Sequence, residues 1–267
     1  MQLTVNGLSV YAGTGGRDFD AAKPALVFLH GAGFDHTVWA LLARWFAYHG
    51  WSVLAVDLPG HGRSSGAALE TIEAMADWTA ALIAASGASK AAIVGHSMGA
   101  LVALETAARH PARVSAIGLV AAAAAMPVSP DLLAAANAGD HAAIDMVAIW
   151  GHGYRATLGG SLAAGSWMLG GGERLLEQAP AGALSKDLIA CSNYRNGLVA
   201  AAKVTGPAIL VLGERDMMTP AKGGKALGAA LPNAQVTMLK GAGHMLMSER
   251  PDEVLDALRG LTMISVG

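Results

Sequence analysis

Charge, aromatic rings and cysteine are all scarce in this chain. Asp, Glu, Lys and Arg make up only 14% of the 267 residues and leave a net charge of −2. Lys and Arg are scattered, so there is no basic stripe of the kind a nucleic acid or an anionic membrane surface requires, and neither is expected as a partner. A single cysteine, Cys191, cannot form an intrachain disulfide, and a reducing compartment, the cytoplasm, is the expected location. The opening residues Met1-Gln2-Leu3-Thr4-Val5-Asn6-Gly7 lack the basic region and following apolar stretch of a signal peptide. No apolar run reaches the length of a membrane span, and the one from Ala121 to Met126 stops at Pro127. The chain is not short of hydrophobic residues. They make up 53%, which excludes the disordered class. The length suits one α/β domain with an insertion.

Short β-like runs alternate with amphipathic helical stretches. Strands are expected at Leu3–Asn6, Ser9–Ala12, Ala25–Leu29, Ser52–Val56, Ala91–Val94, Val114–Val120, Ala208–Leu212 and Gln235–Leu239. Helices are expected at Val38–His49, Thr71–Ser86, Met98–His110, Pro220–Ala230 and Pro251–Leu261. Several of the strands are continuously apolar, as when helices cover both faces of a parallel sheet. The pattern predicts an open, doubly wound, mostly parallel eight-stranded α/β sheet, with ligands at the carboxyl ends of its strands. From about residue 126 to 203 the alternation stops. Helical stretches around Asp131–Asn137, His141–Trp150, Glu173–Gln178 and Lys186–Ser192 are separated by glycine-rich turns at Gly151–Gly153 and Gly170–Gly172. This segment reads as a helical cap inserted into a core made of residues 1–125 and 204–267.

Gly95-His96-Ser97-Met98-Gly99 lies between an apolar strand and a helix. Gly-x-Ser-x-Gly at such a turn is a nucleophile elbow, in which the serine takes a strained backbone conformation and its hydroxyl stands clear of the sheet. The helix start beside it aims N–H groups at any oxyanion formed there. After the third strand, His30-Gly31-Ala32-Gly33-Phe34-Asp35-His36 brings backbone close to the same place. The Ala32 and Met98 N–H groups are assigned as oxyanion donors, with His30 as a buried histidine that fixes the loop. Asp57-Leu58-Pro59-Gly60-His61-Gly62 looks like a dinucleotide fingerprint, but no helix begins until about Thr71, so it reads as a structural turn in which Asp57 and His61 or Arg63 bond within loops.

A serine nucleophile needs a base, and the base needs an orienting acid. Past Ser97, the strand ending at Ala121–Ala125 offers no acid. The next one is followed by Gly213-Glu214-Arg215-Asp216, so either Asp216 or Glu214 can serve; Asp216, just before a Thr-Pro helix start, is the better placed. Of nine histidines only His244, in Gly241-Ala242-Gly243-His244, follows that acid. No histidine pair at helical spacing and no cysteine cluster suggests a metal, and no cofactor is expected.

These motifs, in this order, resemble the α/β-hydrolase superfamily over residues 1 to about 122 and 204 to 267. The resemblance implies a Ser97–His244–Asp216 triad and an oxyanion hole at Ala32 and Met98. The cap matches no motif that would carry over a substrate, and the reaction expected of these groups is hydrolysis of a small or medium carboxylic ester. Serine at the elbow departs from the dehalogenase and epoxide hydrolase branches, which use aspartate there. A hydrolase-like signalling receptor with slow turnover, and carbon–carbon bond hydrolysis or perhydrolysis on the same triad, are the alternatives. Phe34, Trp150, Trp167, Met168, Met217 and Met245 are expected to line an apolar pocket. Oligomeric state is left open.

Overall fold

The computed structural model describes residues 1–160 and 167–261. Residues 161–166 of the expected insertion and 262–267 of the expected core lie outside the described residues. Eight strands form one sheet: β1 (Gln2–Val5), β2 (Leu8–Gly13), β3 (Ala25–Leu29), β4 (Ser52–Val56), β5 (Ala91–His96), β6 (Val114–Val120), β7 (Ala208–Gly213) and β8 (Ala234–Leu239). Their order across the sheet is β1-β2-β4-β3-β5-β6-β7-β8. The open, mostly parallel sheet anticipated from the apolar runs is the one observed. Strands β3 to β8 are parallel to one another, and at one edge β2 pairs antiparallel with both β1 and β4. The β1–β2 hairpin turns on Asn6-Gly7, both at positive φ, which is the turn whose twist matches that of its strands.

Strands β3, β4, β5 and β7 are buried along their whole length. Side chains alternate between faces, so each strand feeds two cores. Val27, Leu29, Ile93 and Leu210 pack with the helices α2 (Ile72–Ala85) and α3 (Met98–Arg109). On the opposite face Leu26, Phe28, Val94 and Val211 pack with α1 (Ala40–Tyr48) and α12 (Pro251–Leu258). The first helix is entered through a 3-10 turn at His36–Trp39, where the Asp35 side chain accepts the Thr37 N–H. The outer strands β7 and β8 are covered by α10 (Ala221–Ala230).

Between β6 and β7 lie α4 (Pro130–Ala138), α5 (Ala142–Gly151), α6 (Tyr154–Thr157), α7 (Met168–Gln178), α8 (Ala183–Asn193) and α9 (Gly197–Lys203), with no strand among the described residues. A short helix, α11 (Leu246–Glu249), precedes α12. One local expectation is corrected. Gly170–Gly172 is not a turn but lies inside α7. A Cβ on Gly170 would meet the Trp167 ring at 2.4 Å, so the glycine is there to admit a ring. That local packing outweighs the helix penalty of glycine, about 1 kcal/mol per residue. At the far end of the segment α9 packs against α3 and α10, and Ala200 and Ala201 join the core beneath the sheet.

Candidate active site

Ser97 sits between the end of β5 and the start of α3 with φ 52° and ψ −116°. This left-handed conformation is costly for a residue with a Cβ, and the surroundings hold it in place. The Ser97 N–H donates to the Val120 carbonyl at 2.9 Å. The flanking glycines are there because the backbone passes too close for side chains. A Cβ on Gly95 would meet the Gly99 carbonyl oxygen at 2.0 Å, and one on Gly99 would meet that of Leu29 at 2.4 Å. Gly31 has the same origin, since its Cβ would lie 2.7 Å from His96 Nδ1. The first N–H groups of α3 have no acceptor within the helix.

Two loops at the carboxyl ends of β7 and β8 meet beside this elbow. A Cβ on Gly213 would strike the Gly243 carbonyl oxygen at 2.0 Å, which measures how closely they pass. His244 Nδ1 lies 2.8 Å from Asp216 Oδ2, with both residues buried. Asp216 Oδ1 accepts the N–H groups of Met218 and Thr219 at 2.9 and 2.7 Å, and the Thr219 hydroxyl lies 2.6 Å from Oδ2. Burial pushes the Asp216 carboxyl up, but His244 and the Thr219 hydrogen bonds outweigh it and hold the group below the usual carboxylate range. Glu214, by contrast, is exposed and accepts the Gly241 N–H at 3.0 Å. The His244 loop is braced by the end of α5: the His244 and Met245 N–H groups both donate to the Gly151 carbonyl, at 2.9 and 2.8 Å.

Three further histidines surround the elbow. His96 donates from Nε2 to the His244 carbonyl at 3.1 Å, and its buried Nδ1 has no partner. Burial lowers its pKa to about 3, so the ring is neutral. His30 donates from Nδ1 to the Gly31 carbonyl at 2.8 Å and accepts the Leu58 N–H on Nε2 at 3.1 Å. Burial lowers its pKa to about 4. Asp57 bonds within its own loops, accepting from the N–H groups of His36 and Arg63 at 2.8 Å each. His61 departs from the expectation of bonding within loops: its Nε2 reaches Asp187 Oδ2 on α8 at 2.9 Å.

A cavity of about 180 Å³ opens over Ser97 and His244. Of the residues expected to form the pocket, Phe34, Trp150, Met217 and Met245 line it, together with Ala32, and no Lys, Arg, Asp or Glu does so among the described residues. Trp167 and Met168 are corrections, because neither lines the cavity. Trp167 is 67% exposed with its ring over Gly170, and Met168 is buried elsewhere. Sequence reasoning missed Leu132, Val147, Leu184 and Leu188, which supply much of the apolar wall from α4, α5 and α8. Leu132, Val147 and Leu188 are legible in the sequence only as members of helical stretches, and Leu184 lies before the stretch expected at Lys186–Ser192, since α8 begins at Ala183. Thr219 was legible as part of a helix start but not as a partner of Asp216.

Residues 26–257 match the model of the alpha/beta hydrolase family. The chain belongs to the α/β-hydrolase family. It is 32% identical over 251 residues to a pimeloyl-(acyl-carrier protein) methyl ester esterase of Xanthomonas campestris, covering 88% of this chain and 93% of that one. It is equally similar, over 248 residues, to the enzyme of that name from Chromobacterium violaceum, covering 88% and 92%. The enol-lactonase of Burkholderia xenovorans superposes over the whole of both chains with a TM-score of 0.87 at 22% identity, a likeness of fold. This α/β-hydrolase is thus an enzyme of the esterase-like kind.

Among the described residues of the hydrolase, no helix is long and apolar enough to cross a membrane. Asp35, His36 and Asp57 bring possible ligand atoms within 4.8 Å of one another. Each is engaged locally, Asp35 with Thr37 and His36 with Asp57 at 2.7 Å. A hydroxyl and an imidazole on one cavity, with a buried carboxylate behind the imidazole, can move a proton and stabilise the charge that results.

Proposed function

We propose that this α/β-hydrolase cleaves a small or medium carboxylic ester through an acyl-enzyme on Ser97. The observation that carries the reading is the buried 2.8 Å contact between His244 Nδ1 and Asp216 Oδ2, with His244 and Ser97 lining one cavity. The Asp216 carboxylate accepts a hydrogen bond from the His244 Nδ1–H, which leaves Nε2 free to act as base. His244 Nε2 takes the Ser97 hydroxyl proton as Oγ bonds to the ester carbonyl carbon. The resulting oxyanion is received by the Ala32 and Met98 N–H groups, each such donor being worth about 10²–10³ in rate. The carbon–alkoxy bond then breaks, and the alcohol leaves with the proton from Nε2. Water repeats the sequence, releasing the acid and restoring Ser97. No step requires a cofactor.

Residues about 126–203 act as the cap, and the cavity walls they provide receive the acyl chain. The apolar, uncharged lining supports a substrate whose acyl part carries no charge near the carbonyl. The similarity to esterases of methyl esters supports a small alcohol on the leaving side. The single buried thiol agrees with a cytoplasmic location.

A fluorophosphonate probe tests the assignment. It should add one covalent group to the wild-type protein and none to Ser97→Ala, with p-nitrophenyl ester turnover lost in parallel. Labelling or turnover that survives the substitution moves the nucleophile elsewhere.

A further inference from the structure

One buried ion pair joins the insertion to the loop after β4. His61 Nδ1 lies 3.1 Å from the Pro59 carbonyl and Nε2 lies 2.9 Å from Asp187 Oδ2. A carbonyl and a carboxylate oxygen only accept, so both ring nitrogens donate and the ring is an imidazolium. Its raised pKa agrees: burial pulls it down, and the Asp187 carboxylate more than offsets this. The side chains are 1% and 0% exposed. An ion pair this dry is costly unless further bonds satisfy it. One such bond leads straight to the site, since the Gly33 N–H donates to the same Asp187 oxygen at 2.9 Å. The other oxygen, Oδ1, is buried without a partner. Gly33 itself has φ 72°, and a Cβ there would meet Leu176 and Leu184 of the insertion at 2.9 and 3.0 Å. The Gly33 loop is thus held by His30 on the sheet side and by Asp187 on the other.

We propose that Asp187 is a positioning residue: paired with His61 and bonded to the Gly33 N–H, it sets the place of the adjacent Ala32 N–H. This rests on the reading above that Ala32 receives the oxyanion. The carboxylate touches no substrate. It acts in the transition state, because the oxyanion forms only there and misplacing a group by about 1 Å costs on the order of 10² in rate.

The test compares Asp187→Ala and Asp187→Asn with wild type, using a p-nitrophenyl ester and a trifluoromethyl ketone bearing the same acyl chain. The ketone forms the tetrahedral oxyanion on the serine. Asp187→Ala should lower kcat about ten- to hundredfold, leave KM within about twofold, and weaken ketone inhibition in step with kcat. Asp187→Asn keeps an acceptor for Gly33 and puts its amide nitrogen where Oδ1 has no partner, so most of the rate should return. A kcat within about twofold of wild type for the alanine variant, a loss carried by KM, ketone binding unchanged while kcat falls, or an asparagine variant as slow as the alanine one each overturn the proposal. Should Asp187→Ala not fold, His61→Phe with Asp187→Leu removes both charges for apolar groups, an exchange that folds tolerate, and the same criteria apply. Ser97→Ala run alongside separates the two readings: turnover that persists there refutes the serine mechanism itself, whatever Asp187 does.

Discussion

Leu132 offers the sharpest measure of whether the insertion selects the acyl chain. It is 2% exposed, sits one residue beyond the first turn's Pro130-Asp131 on α4, and lines the cavity above Ser97. Leu132→Ala clears room for two or three methylenes in a space of about 180 Å³. Each methylene buried there is worth about 0.8 kcal/mol, so a longer chain can gain roughly 2 kcal/mol in the transition state. The kcat/KM ratio of p-nitrophenyl hexanoate to acetate should therefore rise about ten- to thirtyfold. The empty variant loses about 2–5 kcal/mol of stability, or roughly 5–15 °C in Tm for a chain of this size. Trp167→Ala is the control. Its ring is 67% exposed and lies off the cavity, so the ratio should not move. A Leu132→Ala protein with lowered Tm and an unchanged ratio would make this leucine plain core and refute selection from α4. A ratio that shifts in Trp167→Ala instead would put the acyl chain on the other side of the insertion.

Other consequences are equally direct. Asp216→Asn should lower kcat by up to about 10⁴ by spoiling the His244 tautomer, whereas Glu214→Gln, altering an exposed loop bond, should stay within about threefold; the reverse order in steady-state kinetics moves the acid. Ser97→Gly should melt about 2–4 °C above Ser97→Ala, because glycine relieves a positive-φ strain of about 1–3 kcal/mol and gives back only part of it in chain entropy; equal melting would mean the elbow is unstrained. The raised pKa of His61, which faces His30, Asp57 and Asp187, has a definite sign. Its pairing stabilises the fold fully below about pH 6.5 and is lost as pH rises through the higher folded value. Raising pH from about 6 to about 9 should thus lower the Tm of wild type relative to His61→Phe/Asp187→Leu, and a constant difference by calorimetry would show an uncharged ring.

Much of the site is local and therefore legible. Gly95, Ser97 and Gly99 must be close in space because they are close in sequence, and the turn that joins a buried strand to a helix tolerates few other residue types. The order of apolar runs gave away the parallel sheet for the same reason, since a strand buried on both faces cannot alternate with polar residues. The pocket was read less well. Trp167 and Met168 are large and apolar, but size does not say which face of a helix turns inward, and Gly170 drew the indole away from the cavity. The glycine cluster Gly170–Gly172 misled for a related reason, because a glycine admits a neighbouring ring as readily as it admits a bend, whereas Gly151–Gly153 does separate α5 from α6.

By itself the sequence determined the sheet, the strained elbow and the identity of the groups able to do chemistry, because each depends on residues within a few positions of one another. Tertiary structure alone decided which of those groups meet. Asp216 and Glu214 are two residues apart and chemically alike, yet only Asp216 turns inward to His244, behind Thr219. His61 and Asp187 are separated by 126 positions, and no local pattern could announce that a loop after β4 and a helix of the insertion would share a proton and a backbone N–H of Gly33. Such contacts arise only when the folded core brings distant segments together and excludes the water that would otherwise solvate each charge.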